Sequence, residues 1–239
     1  MRRFTILTTL AAVVVVAPHR VAAQGDASRG VAAGGVSVPG WTGKIDPNEE
    51  RRGLTLSSAK LAKEGDAMHV TTGPAVTYWN PANKASGNYT VKATFTEPKY
   101  QNLNSHPHPY GIMIAGNDLG TPQQSFFYCA AYGNGNFIAR GFGVTPPDTA
   151  SKGFMLNGQM GAPNAAVHQA TAVGASVTQE IAVSVKGDKV ECAINGTVVG
   201  SYDKSAVVGP GKLKSTDGVY GIRFAHNTEG TVTGLTLVK

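Results

Sequence analysis

The chain has 239 residues, of which 41% are hydrophobic and 15% are charged, and it contains 30 glycines and 13 prolines. This composition is typical of a globular protein rich in turns, and it excludes a disordered or collagen-like chain. The formal net charge is +6. No cluster of Lys and Arg interleaved with aromatic residues occurs, so we predict no nucleic-acid partner.

The first 23 residues have the pattern of an export signal. Arg2 and Arg3 are followed by an apolar run over residues 4–17 and by the small residues Val21-Ala22-Ala23. The run is shorter than a membrane-spanning helix needs, so we predict a signal peptide over residues 1–23 that is cleaved after Ala23. A retained anchor is the alternative. We therefore expect a secreted or periplasmic protein with no membrane span after cleavage.

Residues 24–39 are rich in Gly and Ala and have no periodicity, which predicts a flexible linker. The folded domain is predicted over residues 40–239. Without the signal, 18 basic residues remain against 15 acidic ones, a net charge of +3.

Short segments of strand-forming residues, separated by turns, fill most of this domain. Hydrophobic and polar residues alternate over residues 88–96, as in a strand with one buried face. Residues 110–115, 125–132 and 136–142 are less polar at alternate positions, which indicates central strands covered on both sides. Residues 144–177 show neither the alternation of a strand nor the periodicity of a helix. They are predicted to form a long surface excursion whose role the sequence does not indicate.

The clearest part of the pattern lies at residues 179–202, where two hairpins follow each other. Gly187-Asp188 and Asn195-Gly196 are hairpin turn signals between alternating segments. They predict a three-stranded meander, and the side chains expected on its buried face are Ile181, Val183, Val190 and Ile194. Beyond the signal segment no sustained helical periodicity is present. We predict an all-β fold, a two-sheet antiparallel jelly-roll sandwich.

The two cysteines are Cys129 and Cys192, and both fall in strand-like segments. An even number of cysteines in an exported protein favours a disulfide, so we predict that they form a bridge between facing strands. Two buried free thiols are the alternative.

Three segments resemble a known superfamily: residues 73–95, 185–202 and 217–237. Their order is similar to that of the concanavalin A-like lectin/glucanase superfamily, and more narrowly to secreted laminin-G-like domains and the 3-keto-disaccharide hydrolase domain family. The resemblance implies a jelly roll, but its members include lectins, glycan-binding modules and glycosidases, so it does not imply one activity.

Glycoside hydrolysis uses two carboxylates placed on either side of the scissile bond. The glucanase branch supplies them from an E-x-D-x-x-E segment, which this sequence lacks. The strand carboxylates Glu97, Glu180 and Glu191 are isolated and are expected to be solvated. Our first interpretation is therefore that the protein has no catalytic residues.

The loop Ser105-His106-Pro107-His108-Pro109-Tyr110 concentrates side chains that could act as acids, bases or metal ligands. His106 and His108, with Asp118, are the acid/base candidates if the protein is an enzyme of the 3-keto-disaccharide type. The same three side chains are possible ligands for Zn²⁺ or Ca²⁺, although the spacing is not a specific metal signature. We predict no metal and no cofactor. His226 and the three residues after it are interpreted as a turn.

Aromatic and polar residues at strand ends suggest a sugar site, because sugar rings pack on aromatic surfaces and bond to nearby polar groups. The ligand-binding candidates are Trp79, Asn80, His108, Tyr110, Tyr132 and Arg140. The favoured function is a secreted, non-catalytic carbohydrate-binding or interaction domain whose partner is a glycan or cell-surface polysaccharide. A 3-keto-disaccharide hydrolase or lyase is the alternative, and a structural extracellular packing protein is a second one.

Overall fold

The structure is a computed structural model that describes residues 28–100, 107–144 and 150–239. The predicted signal peptide and its cleavage site lie outside the described residues. The strands are β1 (Gly35–Val36), β2 (Thr42–Ile45), β3 (Ala59–Glu64), β4 (Ala67–Thr72), β5 (Val76–Ala85), β6 (Tyr89–Glu97), β7 (Tyr110–Asn117), β8 (Ser125–Ala131), β9 (Asn136–Gly143), β10 (Lys152–Met155), β11 (Ala162–Pro163), β12 (Val177–Lys186), β13 (Lys189–Ile194), β14 (Thr197–Asp203), β15 (Gly218–Phe224) and β16 (Glu229–Val238). The helices are α1 (Pro47–Glu50) and α2 (Lys204–Val207), and Leu56–Ser58 form a 3-10 helix.

The strands form two sheets. The first sheet has the order β1-β3-β4-β16-β6-β12-β13-β14, and the second has the order β10-β9-β8-β7-β15-β5-β2, with β11 also paired to β9. Among the described strands, every pair is antiparallel except β1 with β3. The predicted two-sheet antiparallel sandwich is therefore confirmed.

The predicted meander is β12-β13-β14. Its second turn works as expected, because Asn195 and Gly196 both adopt positive φ, at 50° and 80°. The four side chains expected inside, Ile181, Val183, Val190 and Ile194, have no exposed surface. The register opposes Ile181 to Ile194 and Val183 to Cys192, so one stripe of both strands lies in the core.

The two sheets bury their residues differently. In β6 of the first sheet, buried residues alternate with half-buried ones, as in a sheet with one solvated face. In β8 of the second sheet all seven residues are buried, and seven of the eight in β7 are buried. The main core takes one face of these strands, and a second hydrophobic cluster around Trp79, Met113, Phe126 and Tyr128 lies on the other. The prediction of central strands covered on both sides is confirmed.

The predicted disulfide between Cys129 and Cys192 is present. It joins β8 of the second sheet to β13 of the first, and both residues are fully buried. Among the described residues no free cysteine occurs. The bridge therefore ties the two layers together across the core.

Two segments differ from the sequence prediction. Within the predicted linker, β1 pairs with β3, and the backbone N–H of Ser37 donates to the carbonyl of Leu61 at 2.8 Å, so sheet contacts begin before residue 40. The predicted excursion over residues 144–177 contains β10 and β11, which both pair with β9. Both differences have the same cause. A short edge strand is held by its partner strand, so its own sequence does not need to alternate between hydrophobic and polar residues.

None of the helices in the described ranges is long and apolar enough to cross a bilayer.

Replacing both cysteines tests the contribution of the bridge between the layers. The bridged residues are 63 positions apart. The loop-entropy model then predicts that a Cys129→Ala/Cys192→Ala variant loses about 4 kcal/mol of unfolding free energy, because the unfolded chain regains freedom. Urea titration of the oxidised wild type, the reduced wild type and the variant measures this difference. Equal unfolding free energies for the oxidised wild type and the variant would contradict it.

Candidate ligand-binding cleft

A cleft of about 830 Å³ lies on the outer face of the second sheet, opposite the main core. Strands β8 and β9 supply its floor. One wall comes from the segment around α1, another from residues 107–109 with 225–226, and a third from residues 150–160. The cleft thus collects side chains from widely separated parts of the chain.

Strand alternation selects the residues of the floor. In β8, Cys129 and Ala131 belong to the main core, so Tyr128 and Ala130 point to the opposite face. Tyr132 follows the strand and continues this outer stripe. In β9, Arg140 lies opposite Tyr128 in the register and shares that face. The outer stripe is apolar except for a few polar groups, which is the usual make-up of a ligand site.

Arg223 of β15 lies at the back of the cleft and is 6% exposed. Its guanidinium donates two hydrogen bonds to Asp46, from Nη1 to Oδ1 at 2.9 Å and from Nη2 to Oδ2 at 2.7 Å. A third bond runs from Nη1 to the hydroxyl of Thr77 at 2.9 Å. This bidentate ion pair holds Asp46, the residue before α1, against the second sheet.

Three aromatic rings surround the same guanidinium. Its central carbon lies 4.9 Å from the centre of the Tyr128 ring, 5.2 Å from Phe142 and 5.8 Å from Phe126. Burial acts to lower the pKa of Arg223, but the charge and hydrogen bonds of Asp46 together with Tyr128 outweigh burial and raise the pKa above its usual value. Arg223 is therefore a permanent cation held in an apolar setting by one carboxylate and the faces of aromatic rings.

Arg140 lies in the middle of the cleft floor and is only half-buried. One nitrogen, Nη2, donates to the backbone carbonyl of Gln159 at 2.8 Å, and the buried Nε has no hydrogen-bond partner. Tyr132 stands beside it. Burial raises the pKa of Tyr132 to about 12, Tyr128 adds to this shift, and the charge of Arg140 opposes it. The phenol of Tyr132 is therefore a neutral donor at physiological pH.

The third wall is formed by the segment that the sequence predicts as a surface excursion. Met155 is 51% exposed and Met160 is 63% exposed, and both line the cleft. The side-chain amide of Asn157 donates to the carbonyl of Phe137, and its oxygen accepts from the N–H of Ala139. The excursion is thus fastened to β9 and presents flexible apolar side chains to the open space.

Two histidines lie together at the edge of the cleft. The ring centres of His108 and His226 are 4.5 Å apart, and both residues line the cleft. His226 and Asn227 form the turn that the sequence predicts between the last two strands, with Asn227 at a φ of 56°. The turn interpretation is therefore confirmed, and the turn also supplies a cleft residue.

The cleft includes half of the predicted ligand-binding residues. His108, Tyr132 and Arg140 line it. Trp79 is 6% exposed and belongs to the cluster with Met113 beside the cleft, while Asn80 accepts a hydrogen bond from the N–H of Ala82 and does not line it. Tyr110 faces the main core, where its ring stacks at 5.8 Å on Phe95. The prediction of Tyr110 as a ligand contact is wrong, because alternation in β7 turns its side chain inwards.

The predicted acid/base set does not assemble. His106 lies outside the described residues. His108 and Asp118 flank opposite ends of β7, roughly 20 Å or more apart at the rise of a strand, and Asp118 pairs with Lys214. Glu97, expected to be solvated, is only 7% exposed. Its charge adds to burial in raising the pKa of Tyr110.

In the three described ranges, no group of three or more His, Cys, Asp or Glu side chains is arranged to hold an ion.

The sequence reasoning missed Arg223, Asp46 and the wall at residues 150–160. Arg223 had a detectable signal, since it is a charged residue between Ile222 and Phe224 in a central strand. Asp46 had none, because it lies 177 residues away from its partner.

No protein-family model matches this sequence, and no curated protein matches it. Among solved structures, the carbohydrate-binding module CBM66 from Bacillus subtilis superposes with a TM-score of 0.51 at 8% identity, over 85% of this chain and 98% of that one. A Bacillus subtilis protein of unknown function with a galectin-like fold gives 0.48 at 11% identity, over 82% and 88%. A glycoside hydrolase family 16 endo-glucanase from Bacteroides ovatus gives 0.48 at 13% identity, over 81% of both chains. The fold is a two-sheet jelly-roll sandwich.

Removing the carboxylate of Asp46 tests the ion pair behind the cleft. We expect Asp46→Asn to lower the unfolding free energy by about 3 kcal/mol, because it leaves the Arg223 charge buried without its partner. Adding Arg223→Met to Asp46→Asn should restore part of the loss.

The matched control is Asp203→Asn, which breaks an exposed pair with Lys189 and should leave the unfolding midpoint close to that of the wild type. Urea titration of all four proteins measures the differences. An Asp46→Asn variant as stable as the control would show that the pair does not hold the α1 segment.

Proposed function

We propose that this protein is an extracytoplasmic carbohydrate-binding domain whose ligand occupies the cleft on the outer face of the second sheet. The observation that carries the proposal is the cleft itself, at about 830 Å³. This volume lies within the usual range for sites that enclose small molecules. The superposition on CBM66, a carbohydrate-binding module, supports a glycan as the ligand.

The make-up of the cleft also supports a sugar. Its apolar surface includes Ile138 and the exposed methionines Met155 and Met160, onto which the C–H faces of a sugar ring can pack. Hydroxyl groups of a sugar need donors and acceptors, and Arg140, Tyr132 and Gln159 stand on the same surface. A mixed surface of this kind orients a ligand through few polar contacts.

Binding is favoured over hydrolysis by the state of Asp46. It is the one carboxylate among the described residues that line the cleft, and both of its oxygens accept hydrogen bonds from Arg223. A general acid or nucleophile of a glycosidase must reach the glycosidic bond. Asp46 is instead occupied by a structural ion pair.

Filling the cleft tests this function without touching the core. Gly153 lines the cleft, and a Cβ at this position would meet only ordinary contacts at 3.9 Å. We expect Gly153→Leu to weaken binding on a glycan array at least about tenfold, and Tyr132→Ala to do the same by removing part of the floor.

The control is Gly30→Leu, because a Cβ at Gly30 meets no atom within 4 Å and Gly30 does not line the cleft. It adds the same side chain elsewhere on the surface. Thermal unfolding shows whether each variant is folded. Glycan binding that persists equally in Gly153→Leu and Gly30→Leu would remove the cleft from consideration.

A second candidate is a hydrolase or lyase that acts on 3-keto-glycosides. The specific observation in its favour is the pair of imidazoles of His108 and His226 within the cleft, since histidine is the commonest general acid or base. Chromatography of 3-keto-disaccharides after incubation with the protein tests it. Turnover that is lost in His108→Ala but retained in His69→Ala would favour this candidate, and no turnover by the wild type would reject it.

A further inference from the structure

The described residues that line the cleft carry more positive than negative charges. Arg51, Arg140, Lys152 and Arg223 line it, whereas Asp46 is the one carboxylate among its described lining residues. The pairing of Asp46 with Arg223 cancels one positive charge. Of the other basic residues, Arg51 and Arg140 have no carboxylate partner among the described residues, in a mature chain whose predicted net charge is only +3.

Arg140 is the best placed of these groups. It lies on a strand of the floor, so its backbone is held by β8 on one side and β10 on the other. Within the described residues no carboxylate forms an ion pair with it, and its Nε is buried without a hydrogen-bond partner. Its bond to Gln159 uses one of five N–H groups. Because Arg140 is only half-buried and lines the cleft, the guanidinium can donate to an acceptor there.

Arg51 stands on the opposite wall, just after α1. It is exposed, and its side chain donates to the side-chain oxygen of Asn48, a neutral partner. In the same part of the chain the neighbouring Arg52 pairs with Glu49 at 3.7 Å. Of these two adjacent arginines, Arg51 lines the cleft and has no carboxylate partner among the described residues, whereas Arg52 does not line it and is paired with a carboxylate.

We infer that the cleft selects anionic glycans, with the acidic group of the sugar, a carboxylate or a sulfate, bound by Arg140 and attracted by Arg51. This inference rests on the proposed function, because it names the class of glycan that the same cleft takes. The planar guanidinium of Arg140 matches the two oxygens of an acidic group, and since no carboxylate of the described residues is paired with it, it can form this pair without first breaking another among them. The apolar methionine wall faces the remainder of the sugar.

Matched pairs of polysaccharides test the inference. The first pair is polygalacturonate and its fully methyl-esterified form, which share a backbone and differ in charge. The second pair is dextran sulfate and dextran. Binding of the wild type, Arg140→Gln and Arg52→Gln is measured by affinity electrophoresis and calorimetry at low and high salt, beside a broad array of neutral glycans.

The two variants remove the same net charge, one inside the cleft and one outside it. We expect the wild type to bind one acidic polymer and not its neutral partner. Arg140→Gln should weaken this binding about tenfold or more, as for a lost bond to a charged group, and Arg52→Gln should leave it nearly unchanged. Added salt should weaken it as well, because exposed charges are screened. Polygalacturonate or dextran sulfate as the bound polymer identifies a carboxylate or a sulfate.

The other possible results would refute either anion selection or carbohydrate binding itself. Equal binding of charged and neutral partners, or equal effects of Arg140→Gln and Arg52→Gln, would refute anion selection while leaving carbohydrate binding in place. If Gly153→Leu abolishes binding to a neutral glycan and Arg140→Gln does not change it, the cleft is a neutral sugar site. A wild-type protein that binds no glycan in any arm would refute the proposed function and this inference together.

Discussion

The second sheet is buried on both faces, and the rest of the structure depends on this constraint. Its inner face meets the first sheet across the main core, where the Cys129–Cys192 bridge joins the layers. Its outer face carries a second set of large side chains, including Phe126 and Tyr128, that water would solvate poorly. Loops and short edge strands must therefore cover that face, and the space they leave between them is the cleft.

The ion pair of Arg223 with Asp46 shows how this cover is attached. A charged guanidinium on a sheet face among aromatic rings needs a partner, since an isolated buried charge is very unfavourable. Asp46 meets this need and in doing so brings the start of α1 onto the sheet. Arg140 lies on the same face, and no carboxylate among the described residues forms an ion pair with it. This contrast between the two arginines is the basis of our inference that Arg223 is structural and that Arg140 binds the ligand.

Much of the fold could be predicted from the sequence because its signals are local. Alternation and the Asn195-Gly196 turn fix the meander, and the continuous apolar run of β8 indicates a strand covered on both sides. The candidate site could be predicted only in part. Trp79 and Tyr110 are residue types that commonly contact sugars. Their strand positions, however, place Trp79 in a packed cluster and Tyr110 in the main core.

By itself, the sequence determined that this protein is an all-β sandwich and which strands are central, and it favoured a disulfide between the two cysteines over free thiols. Those properties follow from a period of two and from residue types within short segments. Only the tertiary structure decided which outward residues share the cleft, because Asp46, Arg140 and His226 meet through pairing of strands far apart in the chain. Local periodicity indicates that a side chain points away from the core, but it does not indicate which distant segment covers that side chain.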